Sequence, residues 1–123
     1  MKKISLIIKI FFIYLFLISS SFAKQQNYLD KGKELFKNKK FDKSKVLFEK
    51  DLVFNPKSEE SYLYLSKIFH KKNDEEQQEI NLKNVLLLNP KNDEAIYMLI
   101  LLKIEQSDYN YARKLIKNFN LVC

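Results

Sequence analysis

"LLLNPKNDEAIYML" spans residues 86–99, and "LVFNPKSEESYLYL" spans residues 52–65. A shift of 34 residues lays one phrase on the other, with Asn-Pro-Lys in register. The same shift places Pro56 on Pro90, Leu52 on Leu86, Leu29 on Leu63 and then Tyr97, and Tyr28 on Tyr62 and then Ile96. Phe48 falls on Leu82 and then Ile116, Leu35 falls on Phe69, and the small residues Gly32 and Ser66 coincide. A fixed period of this length means that one supersecondary unit is written several times.

Each unit reads as two helices. Ser58 and Asn92 have side-chain oxygens that can cap free amides at a helix start, and each is followed by two acids, Glu59–Glu60 and Asp93–Glu94, that suit the positive end of a helix dipole. Pro56 and Pro90 cannot continue a preceding helix. Asn73 with Glu76 has capping-box spacing, and Ser107–Asp108 holds the equivalent place. Ala112, Leu115, Ile116 and Phe119 form one apolar face at helical spacing. These signals predict helices over 25–38, 41–54, 58–72, 74–88, 92–106 and 109–121.

Composition agrees with that assignment. One Gly, two Pro and no Trp leave few breakers for a sandwich or barrel, and 46% hydrophobic residues are enough to build a core. The first residues are set apart: "MKK", the apolar run "IFFIYLFLI" from Ile10 to Ile18, then "SSSFAK" with Ser21 and Ala23 ahead of a cut at Lys24. That is the layout of a secretory signal peptide, and its apolar run is shorter than the roughly 20 residues a membrane span needs. The alternative is an uncleaved N-terminal anchor over 1–23. Either places the remaining chain outside the cytosol. Loss of 1–23 removes Lys2, Lys3 and Lys9 and no acid, so the formal charge falls from +7 to +4.

The pattern resembles the tetratricopeptide repeat family. The resemblance rests on Tyr28, Gly32, Leu35, Phe41, Ser44, Phe48, Leu52 and Pro56, then on Tyr62, Leu65, Ser66, Phe69, Leu82, Val85 and Pro90, and then on Leu99, Asp108, Tyr109, Ala112, Ile116 and Phe119. Gln78, Asp51, Ile100 and Lys103 depart from the family's preferences for Ala, a small residue, Gly and an aromatic. The resemblance implies an all-α fold, an α-solenoid of antiparallel helix pairs. Repeats fall near 25–58, 59–92 and 93–123, in a domain over 24–123 that a signal peptide precedes. It also implies binding of a peptide or helix of another protein in a concave groove lined by the first helix of each pair. Carried onto this chain, that groove presents Leu29, Lys33 and Phe36, then Leu63, Lys67, His70 and Lys71, then Tyr97, Leu101 and Ile104. The carboxylate clamp of heat-shock co-factors is not matched, because Leu29, Lys33, Tyr64, Glu94 and Met98 stand at its places.

Chemistry finds little to work with. His70 and Cys123 are the only His and Cys, too few for a metal site of three or four ligands. A lone Gly32 excludes a glycine-rich phosphate loop. "DEEQQE" at 74–79 reads as a capped, solvated helix start, and "KNKKFDKSK" at 37–45 as a basic turn without the interleaved aromatics that nucleic acid calls for. The expectation is a binding protein with no enzyme activity, cofactor, metal or nucleic acid, acting in a bacterial periplasm or a similar compartment. Membrane contact is expected only where 1–23 is retained, facing outward from an inner membrane. The chain finishes "NFNLVC" without a polar cap, so Phe119, Leu121, Val122 and Cys123 are candidate contacts for a homodimer, with structural self-association as the alternative function.

Overall fold

In the computed structural model, residues 7–13 and 27–120 are described with their side chains and the rest of 2–122 by backbone. The side chains of Ser21, Ala23 and Lys24 at the cleavage boundary and of the candidate contacts Leu121 and Val122 lie outside the described residues, as does the whole of Cys123. Among the described residues there are six helices and no strand: α1 (Lys2–Lys37), α2 (Phe41–Phe54), α3 (Glu59–Lys71), α4 (Glu75–Leu88), α5 (Asp93–Glu105) and α6 (Tyr109–Val122). Five of them lie within a residue of the spans read from the repeat. The first begins at Lys2 instead of near residue 25, because the apolar run and the first repeat helix adjoin with no Gly or Pro between them.

The helices form antiparallel pairs, α1 with α2, α3 with α4 and α5 with α6, and each pair packs on the next. Asn-Pro-Lys is the joint between pairs. The Ser58 amide donates to the Asn55 carbonyl at 3.1 Å and the Asn92 amide to Asn89 at 3.1 Å, so proline sits second in a tight turn where its fixed φ is an advantage. The next helix is then capped as expected. The Ser58 hydroxyl accepts from the Ser61 amide, and the Asn92 side-chain oxygen, Oδ1, accepts from the Ala95 amide at 2.8 Å.

The turn inside each pair repeats too, by a device the sequence hides. Lys39, Asn73 and Ser107, one period apart, all have positive φ of 58, 55 and 60°. The following amides, of Lys40, Asp74 and Asp108, reach back to the carbonyls of Leu35, Phe69 and Lys103. That is a Schellman closure, which usually recruits glycine. The caps therefore lie one residue later than expected. Asp74, and not Asn73, accepts from the Gln77 amide, and Asp108 accepts from Tyr111.

Two buried clusters hold the pairs together. Phe48, Leu65, Ile68 and Phe69 join the first pair to α3, while Leu63, Leu82, Val85, Ala95, Leu99 and Leu102 join the second to α5. At Gly32 an added Cβ would lie 2.8 Å from the buried Phe48 ring, and the Ser44 hydroxyl donates to the Gly32 carbonyl at 2.7 Å. Glycine is required there by close approach, not by backbone angle.

Lys39→Gly and Ser107→Gly are each expected to stabilise the fold by about 0.5–1 kcal/mol. That figure is the left-handed penalty of about 1–2 kcal/mol less the extra unfolded-state freedom of glycine. Asn73→Gly should be close to neutral, because asparagine tolerates the left-handed region. Urea denaturation of the three variants checks this; equal gains at all three positions would contradict the strain assignment.

Candidate functional site

The first helices of the three pairs, α1, α3 and α5, lie in sequence order, and a ladder of ions links them. Lys33 of α1 pairs with Glu60 of α3; Lys67 of α3 pairs with Glu94 of α5 at 2.7 Å. Both partners advance by one period. The hydrogen bond to Glu60 outweighs burial and holds the Lys33 ammonium above its ordinary value. Lys67 also lies over the Tyr64 ring, 4.9 Å from its centre. Exposed pairs of this kind contribute at most about 1 kcal/mol each, so the ladder serves register more than stability.

The ladder stops at α5, where Leu101 occupies the place of Lys33 and Lys67. Here the surface turns apolar. Tyr97, Leu101 and Ile104, at i, i+4 and i+7, are 62%, 41% and 42% exposed and form one stripe. His70 and Lys71 are exposed at the end of α3.

The expected groove residues thus fall into three groups. His70, Lys71, Tyr97, Leu101 and Ile104 are open to solvent. Lys33 and Lys67 are engaged with Glu60 and Glu94. Leu29 and Phe36 are half-buried against the first cluster; Phe36 meets Phe41 and Tyr64 edge-on at 5.3 and 5.1 Å. Leu63 is only 9% exposed inside the second cluster. The physical reason is that a first-helix position facing the next repeat is covered by that repeat. Glu60, Glu94 and Tyr64 were missed in the sequence, although the one-period spacing of Lys33/Lys67 and Glu60/Glu94 was there to find the ladder.

Beyond the stripe, α5 and α6 leave an open cleft of about 320 Å³ lined by Ile96, Tyr97, Ile100 and Phe119 with Asp93 and Glu94 at its edge. A smaller one of about 150 Å³, lined by Leu86, Pro90, Ile96, Leu115, Asn118 and Phe119, adjoins it. Phe119, a candidate contact from the sequence, is half-buried in the wall of both.

The departures from the family pattern are accommodated by polar pairs. Asp51 is buried and accepts from the Ser61 hydroxyl at 2.6 Å. Lys103, nearly buried, donates to Glu79 at 2.6 Å and to Gln106 at 2.9 Å. Among the described residues, no group of three or more His, Cys, Asp or Glu could hold a metal ion, and no helix is long and apolar enough to cross a membrane.

No family model and no curated protein matches the sequence. Solved structures match the fold. A chain of the CopN–Scc3 complex superposes with a TM-score of 0.69 at 17% identity, over 76% of this chain and 55% of that one. The Sgt2 TPR domain from Aspergillus fumigatus gives 0.67 at 16% identity, over 76% of this chain and 62% of that one. The chain thus spans little more than half the length of these structures. Its fold is that of a tetratricopeptide repeat domain.

Burial alone would push the Glu79 carboxyl up, but hydrogen bonds from Lys103 and Lys83 outweigh it and hold the group below its ordinary 4.5. Asp42 is held below 3.8 by its hydrogen bond from Lys72. Both contributions are complete above those ordinary values and are lost as pH falls through the lower folded ones. The denaturation midpoint is therefore expected to drop steadily as pH is taken below about 5. Glu79→Gln should lower stability at neutral pH by about 1–3 kcal/mol and flatten the acid slope. A variant with the wild-type slope would remove Glu79 as its source.

Proposed function

We propose that this protein is a non-catalytic adaptor outside the cytosol that holds a helix or extended segment of a partner protein along α1, α3 and α5. One observation carries the reading: the exposed Tyr97–Leu101–Ile104 stripe begins where the Lys–Glu ladder ends. An apolar stripe of this spacing matches the face of an amphipathic segment. Lys33 and Lys67 are neutralised by their own glutamates, which leaves His70 and Lys71 beside the stripe and favours a segment mixing apolar and acidic residues. Export is supported by the charged start, apolar run and small residues of 1–23; retention of that segment would make the same adaptor membrane-tethered.

Two measurements test this. N-terminal sequencing of the protein from the cell envelope should find a chain starting at Lys24; an intact Met1 would favour the anchor. A photo-crosslinking residue at Ile104 should label one partner, and one at the exposed Val53 of α2 should not. Tyr97→Asp with Leu101→Asp should abolish the labelling while the circular dichroism stays helical, since both side chains are exposed. Leu63→Asp would be a poor choice because it breaks the core. Labelling that survives the double substitution would overturn the groove assignment.

A further inference from the structure

The two buried clusters are two filled copies of one seat. In the first, α3 enters the groove of α1 and α2 with Ser61, Leu65 and Ile68; in the second, α5 enters the groove of α3 and α4 with Ala95, Leu99 and Leu102. These are the same positions one period apart. The walls of the second seat are Leu63, Leu82 and Val85. Advanced by one period they become Tyr97, Ile116 and Phe119, and Ser66 becomes Ile100. All four of these residues have lost cover. Leu63 is 9% exposed and Tyr97 62%, Leu82 and Val85 are fully buried, Ile116 is 43% exposed, and Phe119 and Ile100 line the open cleft.

We propose that this third seat binds an amphipathic helix of a partner protein, and its walls specify which kind. The residue before the small one is Glu in both filled seats, facing Lys33 or Lys67. In the third seat that wall is Leu101, so the incoming residue is apolar. Eight positions after the small residue stand Phe69, over which Lys45 sits 5.6 Å from the ring centre, and Lys103, paired with Glu79 at 2.6 Å. The third seat has the exposed Arg113 there, which calls for an acid or an aromatic. Asn92, which caps α5, donates to Glu59 at 2.6 Å; Asp93 takes that place in the third seat and accepts from an asparagine cap. The incoming helix therefore reads Asn, two positions on an apolar residue, then a small one, Leu four further, Leu or Ile at seven, and Glu or Phe at eight.

A second copy does not fit. The first helix offers Asn27, Lys31 and Glu34 at the entering positions, all exposed and polar.

The probe is a labelled peptide of residues 58–73 carrying Ser58→Asn, Glu60→Leu and Phe69→Glu, titrated by fluorescence anisotropy into the purified full chain. It should bind one to one, at least tenfold tighter than the same peptide with Phe69→Lys. Arg113→Glu, a change on an exposed side chain, should reverse that preference, and Ile100→Asp should weaken the Glu peptide at least tenfold with helicity retained. Indifference to the charge of residue 113, or undiminished binding to the Ile100 variant, would overturn the seat. A concentration-dependent dimer in ultracentrifugation that disappears with Ile100→Asp would overturn the choice of a partner by assigning the seat to a second copy.

Discussion

Everything in this fold depends on one packing event, the burial of a first helix in the groove of the pair before it. A single helix pair leaves an apolar face open, and only the next pair closes it. A small residue, Ser61 or Ala95, opens each buried row, and both are fully buried. Leucine or isoleucine follows one and two turns later, and each such side chain contributes about 1.5–3 kcal/mol on full burial. The tight turn at Asn-Pro-Lys, the caps at Ser58 and Asn92 and the left-handed closures at Lys39, Asn73 and Ser107 all serve to aim that helix.

The two seats have one shape and different chemistry. Asp51 meets Ser61 by a hydrogen bond in the first; the equivalent residues of the second, Val85 and Ala95, are apolar. Lys45 lies over Phe69 in the first; Glu79 pairs with Lys103 in the second. Exchange of α3 and α5 would put Lys103 beside Lys45 and the Ser61 hydroxyl against Val85, leaving the Asp51 carboxylate without its donor. A buried polar group left unmade costs about 1–3 kcal/mol. Among the described residues every buried side-chain nitrogen and oxygen has a partner in the native order. The polar residues Asp51, Glu79 and Lys103 thus match each seat to the helix that the chain delivers to it.

Helix positions were legible because period, proline and cap residues all point to the same boundaries. The left-handed turns were not, because Lys39, Asn73 and Ser107 have no shared chemistry and glycine is absent; only the period gives them away. The site was half legible. Of the residues that periodicity groups on the first-helix faces, Tyr97, Leu101 and Ile104 are exposed. It also gave Leu29, Phe36 and Leu63, since a one-helix pattern shows which residues leave the helix together and not which of them the next repeat covers. Leu63 and Tyr97 are the same position, and they differ only in what lies above them.

That shared position ties the two surfaces of α5 together. Tyr97 is one end of the groove stripe and one wall of the open cleft. A helix seated beyond α5 would cover it as α5 covers Leu63. The apolar stripe begins on α5, the last of the three first helices, where the lysine of the ladder is replaced by Leu101. At the other end, the α1 residues one period before Ser61, Leu65 and Ile68 are Asn27, Lys31 and Glu34, all exposed and polar, so α1 has no apolar ridge of the kind that α3 and α5 bury.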